Sequence, residues 1–218
     1  MSDKTKHIAT LSMLAAMAIV LMLFIRVPFM PGAPFLIYDP KDVVILIGGL
    51  MFGPLAAFIL SIVVALIEMV TVSDGGPIGF LMGSLASITF TVPAALIYKR
   101  FGNLKGAIIG ILVGIVAASS AMILWNYIVV PLYTGWPRAD VVPMLLPVFL
   151  PFNLIKFGLN ASIAILIYKP VTNALREAKL YNPNKQATKP AGKFNLWVVL
   201  LAVFVAVSLI SLIISMGE

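Results

Sequence analysis

The chain has 218 residues, 61% of them apolar and only 11% charged, a composition that excludes a soluble globular domain and specifies an integral membrane protein. A formal net charge of +7 would suit nucleic acid, but most cations stand in short segments flanking apolar runs. Membrane topology therefore accounts for them, and nucleic acid drops out as a partner. Cysteine is absent, which removes disulfides, thiol nucleophiles and cysteine-ligated metals.

Several apolar stretches reach the roughly 17–25 residues that cross a bilayer, with room for about six or seven spans and no sizeable soluble domain. The first covers residues 8–25, preceded by Lys4 and Lys6 and closed by Arg26. No small-residue cleavage site follows it, so it reads as a retained helix rather than a signal peptide. Pro28, Pro31 and Pro34 forbid its continuation. The loop that follows, VPFMPGAPFLIYDP over residues 27–40, is proline-rich yet apolar and aromatic. A loop that merely met water would be polar, so this one is expected to pack over something.

Residues 43–70 form one long apolar stretch broken near its middle by Gly48, Gly49, Gly53 and Pro54. Charge parity decides how to count it. Lys4 and Lys6 mark a cytoplasmic N-terminus, and Lys99, Arg100 and Lys105 mark a later cytoplasmic loop, so an even number of spans separates them. The stretch thus contributes two short spans, and residues 79–98 the fourth. Residues 71–77, with Asp74, fall in an outer loop.

A fifth span over 106–130 carries Gly110, Gly114, Ala117 and Ala118, small residues that permit close helix contact, and ends at Trp125, Asn126 and Tyr127. Residues 131–151 hold Trp136, Arg138 and prolines 143, 147 and 151, which predicts interfacial structure that is not a regular span. The sixth span covers 152–168, a basic linker follows, and the clean apolar run 196–215 reads as a seventh span remote from any ligand. Eleven of the fifteen Lys and Arg then lie inside, while Arg26, Lys41 and Arg138 lie outside. Lys156 alone falls within the membrane.

The sixth span opens PFNLIKFGLN, which puts Asn153, Lys156 and Asn160 on one helix face. At 1.5 Å per residue Lys156 lies roughly 8 Å below the outer end. Glu68, Asn126, Asp39 and Asp42 also gather at that end. One reading has Lys156 reach the interface or pair with Glu68 while the asparagines join helices. The other, favoured because intramembrane ionisable residues usually mark function, makes the cluster a binding site. There an ammonium and several amides meet the carbonyl and imide edge of a planar ligand, with Phe35, Tyr38, Met82 and Trp125 as candidates to hold its apolar body. No G-x-x-x-x-G-K-[ST] loop is present, and the only histidine is His7, which removes ATP hydrolysis by that route and histidine-based protease and zinc chemistry. Catalysis is not expected.

The succession FLIYDPKD, IGGLMFGPLAA, SDGGPIGFLMGS and NLIKFGLN resembles the substrate-binding S components of energy-coupling factor vitamin transporters, most closely their riboflavin-specific members, over residues 8–178. The resemblance implies an all-α membrane protein with a six-helix core, both of whose ends are cytoplasmic, plus the additional C-terminal helix. It implies riboflavin held as substrate near the outer surface, with no cofactor, and partners comprising the lipid bilayer, a transmembrane coupling protein and two ATPases. Carried onto this chain, it implies flavin contacts from Asn126, Asn153 and Lys156. Leu36, Ile37 and Asp39 would close above, Met82 and Gly83 line the ring, and Glu68 lie near the ribityl chain. Ser12 and Ala16 are the nearest match to the family's small docking residues on the first helix. The domain division follows as residues 1–178 for substrate binding, 179–193 as a basic linker and 194–218 as the extra helix. Another vitamin or flavin mononucleotide as substrate, a non-transporting scaffold and an independent secondary carrier are the alternatives.

Overall fold

A computed structural model describes residues 3–30, 33–72, 75–182 and 196–217. The described residues form seven principal helices: α1 (Asp3–Phe24), α2 (Lys41–Phe52), α3 (Pro54–Thr71), α4 (Gly76–Phe101), α5 (Leu104–Thr134), α7 (Leu150–Glu177) and α8 (Leu196–Gly217), with a single-turn α6 (Arg138–Val141) between α5 and α7. Among the described residues, six helical stretches are long and apolar enough to cross a membrane. The fold is therefore the expected all-helical one.

The exception is α2. It has 12 residues, about 18 Å at 1.5 Å per residue, and every one of them is buried. A helix buried all round and this short can sit at membrane depth only inside protein, and α2 is enclosed by α1, α3, α4 and α7. The expected break is narrower than the glycine cluster suggested. Gly53, at φ 97°, ends α2 and Pro54 opens α3, whereas Gly48 and Gly49 stay helical. A Cβ at Gly49 would lie 2.9 Å from the Ala57 Cβ and 3.3 Å from that of Ala95, so this glycine serves packing, not the break.

The α4–α5 hairpin turns on two residues. Gly102 caps α4 in the left-handed region, and Asn103 Oδ1 accepts from Gly106 N at 2.8 Å to start α5. The small residues act as expected: Cβ atoms at Gly110 and Gly114 would collide with the backbone oxygens of Ala94 and Phe90.

Residues 138–149, expected as structure that is not a regular span, are helical but irregular. α6 passes into a 3₁₀ turn (Val142–Met144), then a π turn (Leu145–Phe149), and so into α7. Prolines 143, 147 and 151 each remove a backbone donor, which breaks the regular ladder without ending the helix. α7 also runs on through Pro170 to Glu177, so Lys169 and Arg176 belong to it and not to a linker. Lys185, Lys189 and Lys193 lie outside the described residues, as do Ser73 and Asp74.

The 27–40 loop does pack over something. Val27–Pro28 pairs antiparallel with Ile37–Tyr38 as strands β1 and β2, and Phe29, Met30, Ala33, Leu36 and Tyr38 are buried against Phe149, Phe152, Ile155 and Leu159. Phe29 stacks on Phe152 with centroids 5.3 Å apart. α8 lies against α7, where Gly158 leaves room for Leu209 and Ala206 is buried, while Trp197, Leu201 and Phe204 face outward.

A charged cavity beneath the covering loop

Because successive helices reverse direction, the C-terminal ends of α1, α3 and α5 and the N-terminal ends of α2, α4 and α7 meet at one end of the bundle. There they enclose a cavity of about 420 Å³ roofed by the loop, within the 300–1,000 Å³ range of small-molecule sites. Leu36, Ile37, Asp39, Glu68, Met82, Gly83, Asn126, Asn153 and Lys156 all line it. Of the four apolar candidates, Phe35 and Met82 line the cavity and Tyr38 and Trp125 do not.

The charge arrangement departs from the less favoured reading, which paired Lys156 with Glu68, and from the placing of Lys41 outside. Lys156 does not pair with Glu68. Its Nζ lies 2.7 Å from Asp39 Oδ2 and 3.4 Å from the Ile37 carbonyl oxygen. Glu68 pairs instead with Lys41, at 2.7 Å, and Lys41 also approaches Asp39 at 3.4 Å. Lys41 was expected in outer water, yet it is 3% exposed and lines the cavity. Lys156 is thus not the only buried cation. The signal for Lys41 was its place between Asp39 and Asp42, and Gly83 faces it across the cavity. A Cβ there would sit 3.4 Å from Glu68 Oε2 and 3.8 Å from Lys41 Nζ. Arg26, also on the lining, donates to the Val72 carbonyl at 2.7 Å and ties the end of α1 to that of α3.

Burial alone would raise the Asp39 carboxyl, but the Lys156 and Lys41 ammonium groups and their hydrogen bonds overcome it and hold Asp39 well below the usual carboxylate range. Burial, reinforced by the nearby Asp39 and Asp42 carboxylates, pushes the Tyr38 hydroxyl well above the ordinary phenol range, so it remains a donor. That hydroxyl lies 3.0 Å from Asn160 Oδ1. Asp42, beneath the cavity, accepts from Ser87 Oγ through Oδ1, while its Oδ2 has no partner among the described residues.

The amides differ in use. Asn153 Nδ2 donates to Phe149 O, four residues back in its own chain, at 2.7 Å. Asn126 is 1% exposed, and its Oδ1 has no hydrogen-bond partner among the described residues. Such an orphan costs about 1–3 kcal/mol unless something supplies a donor. Asn160, on the same face, does not reach the cavity lining. Paired ammonium groups, two amides and apolar walls from Phe35, Leu36, Met122, Phe152 and Phe157 suit a ligand with a polar edge and an apolar body. No group of three or more His, Cys, Asp or Glu poised for a metal occurs among the described residues.

The family of ECF transporter substrate-specific components matches residues 6–168. A riboflavin transporter of Staphylococcus aureus is 33% identical over 182 residues, covering 80% of this chain and 94% of that protein. One from Bacillus subtilis is 29% identical over 191 residues, covering 82% of this chain and all of the relative. The solved S component of a bacterial ECF transporter superposes with a TM-score of 0.67 at 32% identity, over 79% of this chain and 99% of that one. The chain belongs to the substrate-specific components of ECF transporters: it is a multi-pass membrane protein and part of a transporter, not an enzyme.

Proposed function

We propose that the chain captures riboflavin in the cavity under the 27–40 loop and hands it to an ATP-driven module for uptake. The observation that carries the ligand is the similarity to riboflavin transporters across about four fifths of the chain. The cavity makes that ligand workable. In this reading Asn126, Asn153 and Lys156 meet the carbonyl and imide edge of the flavin, and Asn126 Oδ1 gains the donor it otherwise lacks. Met82 and Gly83 flank the ring, Leu36, Ile37 and Asp39 close over it, and Glu68 lies near the ribityl chain. Asp39 and Glu68 each hold a lysine, so both ammonium groups enter the site already paired, while Arg26 on the lining donates to a neutral carbonyl.

The energising partners are a transmembrane coupling protein and two ATPases, the family's arrangement. Ser12 and Ala16 stand exposed on α1 and offer a face for that coupling protein. The N-terminus lies in the cytoplasm, as does the far end of the six-helix core. With Lys41 withdrawn into the protein, Arg26 and Arg138 are the cations left at the outer end. Residues 1–178 form the binding unit, 179–193 a basic linker and 194–218 an added helix.

Detergent-purified protein titrated with riboflavin tests the ligand. Quenching of riboflavin fluorescence at or below micromolar concentration is expected, and competition by flavin mononucleotide tells the two flavins apart. A chain that quenches no flavin fluorescence and carries no flavin absorbance overturns the reading.

A further inference from the structure

Ile37 and Tyr38 form strand β2, so their side chains face opposite ways. Ile37 and Asp39 line the cavity, whereas Tyr38, between them, does not. Its ring is buried on the other side, and its hydroxyl donates to Asn160 Oδ1 at 3.0 Å. Asn160 is fully buried, and its Nδ2 donates to the Asp39 carbonyl at 3.2 Å. A carbonyl oxygen can only accept, so the Asn160 amide has one workable orientation here: nitrogen to Asp39, oxygen to Tyr38. Aspartate could not donate to Asp39, and serine could not span both contacts.

One helical turn earlier on the same face, Lys156 grips the same segment from the cavity side, through Ile37 O and the Asp39 carboxylate. The two grips differ in one respect. Lys156 lines the cavity, so a ligand there shares its donors with the loop. Asn160 and Tyr38 lie outside the lining, so their side chains are not shared with a ligand in the cavity.

We propose that Tyr38 and Asn160 are positioning residues for substrate retention: they pin residues 37–39 to α7 from behind, and so set how long a bound substrate stays without touching it. The proposal rests on the cavity being the substrate site. Riboflavin is the probe, and its release from the full-length protein is followed by fluorescence recovery after dilution. Tyr38→Phe keeps the ring and removes one hydroxyl. It is expected to speed release several-fold to about tenfold, as for one lost hydrogen bond, and Asn160→Ala at least as much. The double substitution should release no faster than Asn160→Ala, because the Tyr38 hydroxyl has already lost its acceptor.

A second arm needs no ligand. The chain has no cysteine, so Ile37→Cys supplies a single thiol whose maleimide labelling reports on the segment. Without riboflavin, labelling should be faster with Tyr38→Phe than without it, while a buried Ala107→Cys near the start of α5 labels at an unchanged rate. Unchanged release and labelling in Tyr38→Phe, effects that multiply in the double substitution, or equal acceleration at Ala107→Cys would each overturn the assignment. If the unaltered chain binds no riboflavin, the ligand reading fails by itself and the labelling arm still decides whether the pair pins the segment.

Discussion

Lys156 Nζ and Asp39 Oδ2 lie 2.7 Å apart and join the two halves of the site, α7 on one side and the end of the covering loop on the other. The same carboxylate oxygen is 3.4 Å from Lys41, whose other partner is Glu68 on α3. Loop, α2, α3 and α7 are therefore held at one end of the bundle by a single chain of charges. Within a low-dielectric interior such a chain is worth far more intact than with one member missing, because the widowed charge stays buried.

Removal of one member should show that asymmetry. Lys156→Gln is expected to lower the thermal midpoint in detergent clearly, since breaking a buried pair costs about 3–5 kcal/mol at full burial. Adding Asp39→Asn to it should recover part of the loss. Riboflavin affinity should fall by an order of magnitude or more in Lys156→Ala, the effect of losing a charge-assisted hydrogen bond of about 1.5–3 kcal/mol. Differential scanning fluorimetry and flavin titration read the two effects separately.

Asn126 separates binding from stability. Its Oδ1 is buried and has no partner among the described residues, so Asn126→Leu should leave the thermal midpoint without riboflavin unchanged or raised. Riboflavin affinity should nevertheless drop about tenfold or more if the amide meets the flavin edge. A midpoint that collapses, with affinity intact, would show Asn126 to be a packing residue.

The pH dependence of stability has a definite sign at Asp39. Its carboxyl is held below the usual range in the folded protein, so the unfolded chain takes up that proton first as pH falls. Its contribution is fully present above the unfolded value, about 3.9, and is lost as pH drops below it toward the folded value. Thermal midpoints measured from pH 6 down to about 3 should fall more steeply in the unaltered chain than in Asp39→Asn.

Two glycines predict opposite tolerances. At Gly114 a Cβ would meet the backbone oxygen of Phe90, which cannot move aside, so Gly114→Ala should cost about 1–3 kcal/mol by forcing α4 and α5 apart. At Gly83 a Cβ would stand 3.4 Å from Glu68 Oε2, an ordinary contact. Gly83→Ala should keep both stability and binding, while Gly83→Leu should fill the cavity and abolish riboflavin quenching with little loss of stability.

Apolar run length and the placement of cations were enough to establish an all-helical membrane protein with an extra C-terminal helix beyond its core, because the bilayer accepts few other solutions for so apolar a chain. The apolar, proline-rich loop announced its own burial for the same reason. The spacing in PFNLIKFGLN put Asn153, Lys156 and Asn160 on one face, since helical periodicity is local. What each of them meets was not local. Only the fold buried Lys41 against Glu68 and Asp39, gave Lys156 to Asp39 rather than to Glu68, and turned Asn160 away from the cavity to hold Tyr38. Those outcomes depend on distances between residues far apart in the chain, and a one-dimensional pattern carries the type of each residue but not its neighbour across the bundle.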